Sequence, residues 1–220
     1  QPMINKLSKL DGYNYYFQFT LNSYDKTIET NLPEKSALIK TFKELALMIG
    51  RDKVIWRYDP IFLTDKFDIK YHVKGIDLLP MNEEQMKEIA FHLSLIAKKY
   101  DLQLEACCEE IDLTEYNIKA GKCIDDELIS KIIGKKLDIK KDPNQRLICR
   151  CVQSIDIGAY NTCRHRCLYC YANFNTGLVD KNVRLHKVTS PLLYGQLEDK
   201  DKVTIRQVTS NLNNQLSFLD

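Results

Sequence analysis

The feature that most constrains this chain is the run Tyr160-Asn161-Thr162-Cys163-Arg164-His165-Arg166-Cys167-Leu168-Tyr169-Cys170-Tyr171-Ala172-Asn173. Its cysteines fall as C-x3-C-x2-C, with an aromatic, Tyr169, directly before the last. Three thiolates on one short loop can converge on three corners of a cubane iron–sulfur cluster, each binding one iron. The fourth iron then has no ligand from the loop, and a catalytic metal site needs an open position of that kind. The plainer alternative is a structural zinc site built from Cys163, Cys167, Cys170 and His165, because zinc accepts sulfur and nitrogen tetrahedrally. Unmetallated thiols are the third reading.

Composition narrows the setting. A chain of 220 residues is one domain, or one domain with an appendage, and is long enough to bury a core. Thirty-two basic against thirty acidic residues leave a net charge of +2, so no global field calls for nucleic acid or a membrane. Arg146, Arg150, Arg164 and Arg166 cluster around the cysteines, as counter-charge to a thiolate-ligated cluster, as a greeting to an anionic substrate, or as solvated surface. No run approaches the roughly 18 apolar residues of a membrane span, and no signal-peptide pattern is read. Eight cysteines can mean a disulfide framework, but here they cluster late in a core-forming chain. That favours metal binding in a reducing, cytoplasmic setting.

The order of elements reads as alternating β and α. Pro2 to Leu10 suits a short helix, and Tyr13 to Thr20 an aromatic-rich strand bounded by Gly12 and Asn22. Leu38, Phe42, Leu45 and Ile49 repeat at helical spacing until Gly50, and Val54 to Tyr58 is the next strand, closed by Asp59-Pro60. Ile69 to Lys74 begins a helix that Gly75 interrupts. Asn82 caps a helix from Glu83 to Lys99, Leu102 to Ala106 is a third strand, and Asp125 opens a short helix ended by Gly134. Lys140 to Asn144 reads as a polar link, the pattern after Cys170 as irregular, and Leu212 to Asp220 as a loose tail. This βαβ order implies parallel strands with helices outside.

The cysteine spacing resembles the cluster motif of the radical S-adenosylmethionine (radical SAM) enzymes. The resemblance implies that the amino and carboxylate groups of SAM chelate the open iron. One electron then splits the sulfonium bond to methionine and a 5′-deoxyadenosyl radical, which takes hydrogen from a substrate. It also implies an electron donor such as a flavodoxin or ferredoxin. Over nearly the whole length, Tyr15 to Leu21, Val54 to Pro60, Glu109 to Leu113 and Ser154 to Cys163 are similar to the bacterial family catalogued as domain of unknown function 1848. Members of that family carry a further N-terminal stretch and another βα unit after the Ile69 helix. A segment is therefore expected to be missing near Lys74–Gly75. Arg164 and Arg166 stand where proline and glycine are usual, and the cluster loop follows the strands instead of the first strand as in ordinary radical SAM barrels.

Relatives also carry cysteines at positions 107, 123, 149 and 151, beside which Cys108 is a fifth. Four thiolates match a closed cluster or a structural zinc, so Cys107, Cys123, Cys149 and Cys151 are candidates for a second iron–sulfur cluster or zinc, the alternative being small buried hydrophobes. In a β/α barrel the reactive groups sit at the C-terminal strand ends. Those ends make Arg57, Asp59 and Glu109 the catalytic candidates, and Gln18, Arg57, Asn161 and Tyr169 the cofactor-binding ones. Arg57 and Asp59, two apart on a strand, can share a face, as a grip on SAM or as an ion pair.

The expected architecture is α/β: an incomplete, TIM-barrel-like (β/α) barrel over 1–145, a cysteine-rich iron–sulfur region over 146–190 and a tail over 191–220. The expected function is that of a 4Fe–4S radical SAM-type enzyme acting on a small-molecule substrate. A non-catalytic iron–sulfur or zinc protein and a nucleic-acid repair or modification enzyme are the alternatives.

Overall fold

A computed structural model describes residues 3–62 and 81–213. They form two units, 3–62 with 156–208 and 81–155 with 209–213.

In the first unit a 3-10 helix, Ile4–Leu10, leads to strand β1, Phe17–Thr20. Helix α1, Lys35–Ile49, crosses over to β2, Val54–Arg57. The strands pair in parallel with Phe17 opposite Val54 and Thr20 opposite Arg57, as a helical crossover requires. Leu38 and Leu45 point the buried stripe of α1 inward, and Gly50 ends the helix at φ +94, a conformation glycine adopts without strain. The core gathers Leu7, Leu45 and Val54, with Phe17, Phe19, Phe42 and Ile49 against them. Phe19 and Phe42 meet edge to face at 5.5 Å. Full burial of such a side chain stabilises a fold by about 1.5–3 kcal/mol, which Leu7, Leu45 and Val54 approach.

The irregular stretch expected after Cys170 contains a helix, α4, Thr176–Arg184. Asn175 caps it by accepting the Leu178 N–H at 2.9 Å, and Val179 and Asn182 are buried. With three apolar positions, Leu178, Val179 and Val183, in nine residues and Gly177 in its first turn, it is too short to show a repeating helical period in the sequence.

In the second unit Asn82 starts α2, Glu83–Lys99, with a capping box: its side chain accepts the Gln85 N–H and Gln85 accepts the Asn82 N–H. Two alanines, Ala90 and Ala97, are its buried residues. Strands β3, Leu104–Ala106, and β4, Ile118–Ala120, pair in parallel. The Gly121 N–H donates to Ala106 O at 2.8 Å, and a Cβ at Gly121 would meet Glu105 Cβ at 2.7 Å, so this close approach needs glycine. Helix α3, Asp126–Ile133, begins at Asp125 and ends on Gly134 at φ +65. Leu212, expected loose, bridges Leu137, and the Asn213 N–H donates to Lys136 O. Backbone pairing anchors the start of a tail that has few apolar anchors. The Ile69 helix and the Lys74–Gly75 junction lie outside the described residues.

Candidate metal centres

The C-x3-C-x2-C loop belongs to the first unit, and asparagines close it. Asn161 is 4 % exposed at φ +55, a left-handed conformation that asparagine tolerates. Its Oδ1 accepts the N–H groups of Phe174 and Asn175 at 3.0 and 3.1 Å, and its own N–H donates to Ala172 O at 2.7 Å. Asn182 on α4 donates to its carbonyl at 3.1 Å. Asn173 then touches both ends of the motif: its Oδ1 accepts the Cys163 N–H at 3.4 Å and its Nδ2 donates to Cys170 Sγ at 3.6 Å. Cys163 is exposed, Cys167 and Cys170 half-buried.

The loop docks on an earlier segment of the chain. Cys167 pairs with Glu29 in an antiparallel bridge, the Leu168 N–H donates to Ile28 O at 2.9 Å, and the Asn31 N–H to His165 O at 3.0 Å. Tyr169 is the hinge of this contact. Its hydroxyl donates to Glu29 Oε1 and accepts from Asn22 Nδ2 at 3.2 Å. Glu29, 2 % exposed, is also paired with Lys35. Burial, then the bond to Glu29, pushes the Tyr169 hydroxyl far above the usual phenol range. Burial likewise raises the Cys167 thiol, against a lowering contact from Tyr169, while Cys170 and Cys163 lie near enough to add to the rise. A bound metal would have to draw that proton off.

Asn22 carries the connection on to the strands. Its Nδ2 donates to Asp59 O at 3.0 Å, and its Oδ1 accepts the Asp59 N–H at 3.0 Å. Asp59 pairs with Arg57 at 2.8 Å, and Arg57 donates to Gln18 Oε1 at 3.3 Å. Gln18, Arg57, Asp59, Asn161 and Tyr169 therefore lie in one unit with the three loop cysteines. Glu109, the remaining catalytic candidate, is exposed in the turn after β3 of the other unit. Sequence reasoning missed Asn22, Glu29 and Asn173: each is a lone polar residue in a loop, with no spacing to mark it.

The other cysteines meet in the second unit. Sγ atoms of Cys107, Cys123 and Cys151 all lie within 4.8 Å of one another, and among the described residues this trio, not the loop trio, is gathered to that spacing. Three thiols so placed can hold a metal ion or cluster. Parallel pairing explains two of them, since Cys107 follows β3 and Cys123 lies just beyond β4. The Cys123 thiol donates to Cys107 Sγ at 3.3 Å. Cys151 arrives on a segment held by the Lys141–Val152 bridge and by the Val152 N–H donating to Ile124 O at 3.2 Å. Its Sγ accepts the N–H groups of Cys123 and Ile124 at 3.2 and 3.4 Å. Cys149, as buried as Cys151, is in hydrogen-bonding reach of it. Burial, then the neighbouring Cys123 thiol, pushes Cys107 up to about 12. For Cys151 burial is opposed by its N–H and thiol donors, and the balance falls below the ordinary thiol value.

No helix among the described residues is long and apolar enough to cross a membrane. A family model described as Domain of unknown function (DUF1848) matches residues 1–81 and 74–172. No curated protein and no solved structure matches the chain.

Proposed function

The chain belongs to the DUF1848 family, and from that premise we propose that its Cys163–Cys167–Cys170 loop holds a 4Fe–4S cluster with one open iron. The protein is then a radical SAM-type enzyme that takes hydrogen from a small-molecule substrate. One observation carries the reading: Asn22 binds the backbone of Asp59, at the end of β2, and the hydroxyl of Tyr169, between two of the cysteines. The loop is thereby tied to the C-terminal edge of a parallel strand pair, the edge where β/α barrels keep their reactive groups.

When bound, such a cluster supplies one electron to cleave a sulfonium ligand reductively. The chain's own residues hold and aim it. Cys163, Cys167 and Cys170 are the ligands, and Asn173 steadies the first and last. Arg57 is the group for the carboxylate of the methionine moiety. Its pairing with Asp59 is exposed and so contributes roughly 0–1 kcal/mol, little enough to be exchanged for a ligand. The exposed Cys163 side is where a flavodoxin- or ferredoxin-type donor would deliver the electron.

Anaerobic purification tests this. The expected result is a brown protein with iron and sulfide in equal amounts that forms 5′-deoxyadenosine from SAM under a strong reductant. A colourless protein whose loop binds zinc, with no deoxyadenosine formed, ends the proposal.

A further inference from the structure

The second cysteine group has a different geometry, and it points to a different metal. In a tetrahedral site with bonds of about 2.3 Å, neighbouring sulfurs stand roughly 3.8 Å apart. Cys107, Cys123 and Cys151 lie within 4.8 Å of one another, with one pair at 3.3 Å, which brackets that separation. A cubane spreads its thiolates over separate irons and so holds them further apart. In a two-iron cluster any three cysteines include a pair on different irons, which a mutually close trio does not match.

We propose that Cys107, Cys123, Cys149 and Cys151 bind a single zinc ion as a closed structural site. The proposal is independent of the chemistry assigned to the Cys163 loop. Cys149 lies outside the mutual 4.8 Å of the other three. It is assigned as the fourth ligand because it is buried and in contact with Cys151, which in turn contacts Cys107, so that metal uptake draws it in. Thiol contacts thus run unbroken through Cys149, Cys151, Cys107 and Cys123. On uptake the four thiols release their protons to solvent, and the complex carries a charge of −2. The N–H groups of Cys123 and Ile124, already aimed at Cys151 Sγ, offset part of that charge.

The surrounding fold gives the ion its role. Apart from these cysteines, the buried apolar residues among the described residues of this unit are Ala90, Ala97, Ile118 and Val152. Two alanines and two branched side chains make a thin core, and small cores of this kind rely on a metal or disulfides. The four cysteines come from the end of β3, from just beyond β4 and from the segment after the Lys140–Asn144 link. One ion would therefore staple three separate pieces of chain.

The test uses the full chain with C163S, C167S and C170S combined, so that any metal on the loop is removed. The expected result is about one zinc per chain, and zinc-edge X-ray absorption showing four sulfur ligands at about 2.3 Å. Cobalt exchanged for zinc should give the intense visible bands of a tetrahedral thiolate site. C108S should keep the metal, whereas C149S should lose it or bind it at least tenfold more weakly. Should C149S fail to fold, the absorption measurement and the Cys108 variant decide alone. Absence of zinc, iron with sulfide persisting in the loop variant, fewer than four sulfur ligands, or loss of metal from C108S would each overturn the proposal.

Discussion

The two cysteine groups are assembled by a different balance of backbone and side-chain bonds. Cys107 and Cys123 are brought together by strand pairing, and Cys151 is added by backbone bridges, so the ladder itself gathers the sulfurs. The Cys163 loop has no strand of its own. One antiparallel bridge, Cys167 to Glu29, docks it, and side chains do most of the closing: Asn161 and Asn182 at its ends, Asn173 just after its last cysteine, and Tyr169 fastened to Glu29 and Asn22. A site gathered by backbone is closed and tight; one gathered by side chains stays wider, with Cys163 exposed. The contrast suits a staple in one place and an open, reactive centre in the other.

The largest test of that contrast removes the loop sulfurs. The combined Cys163, Cys167 and Cys170 serine variant should lose essentially all cluster iron and all deoxyadenosine formation, while the far-ultraviolet circular dichroism of the folded chain is retained. Collapse of the fold would show the loop to be the staple and reverse the comparison. Next comes Asn161→Ala, which leaves two N–H donors in a half-buried place without their acceptor and puts alanine at positive φ. It should cost about 2–4 kcal/mol in urea denaturation and lower cluster occupancy.

Tyr169→Phe keeps the ring and removes the hydroxyl between Glu29 and Asn22. A loss of about 1–2 kcal/mol is expected, with reduced iron content and unchanged zinc. Iron retained at wild-type level would mean the loop holds its shape without the Glu29 contact.

The smallest effect lies near the tight site, where Lys122 bonds Asp126 at 2.7 Å. The Lys122 ammonium holds the Asp126 carboxyl below the usual range, and the carboxylate raises Lys122 in return. A lowered carboxyl stabilises the fold above its unfolded pKa, near 3.9, and that contribution fades as pH falls through the lower folded value. A raised ammonium contributes below about pH 10.4, its unfolded pKa, and the contribution is lost as pH rises through the higher folded value. Asp126→Asn should therefore cost roughly 0.5–1 kcal/mol at neutral pH, flatten the acid limb of the stability profile and leave metal content unchanged.

Much of this was legible in the residues. The period of Leu38, Phe42, Leu45 and Ile49, the Asn82 cap and the stops at Gly50 and Gly134 predicted helices that the structure contains. Local chemistry writes such signals into neighbouring positions. Strands β3 and β4, of three residues each, are too short to show alternation, and the sequence reading found the first and missed the second. The cysteines announced themselves by spacing, yet spacing could not say that the late loop would stay open while the scattered set closed up. That distinction depends on Asn22, Glu29 and Asn173, whose importance comes from partners far along the chain. Arg166 holds a left-handed backbone, φ +55, the conformation that glycine adopts without strain.

Glu29 and Tyr169 meet across 140 positions of chain. During synthesis the ribosome delivers the carboxylate early and its phenol partner late, with all of α2, β3, β4 and α3 emerging in between. Until then Glu29 has to stay hydrated, because sealing it away with Lys35 alone leaves an acceptor unmet. The segment around it thus has a reason to remain unsettled in the nascent chain, and the arrival of the cysteine run is the event that lets it close.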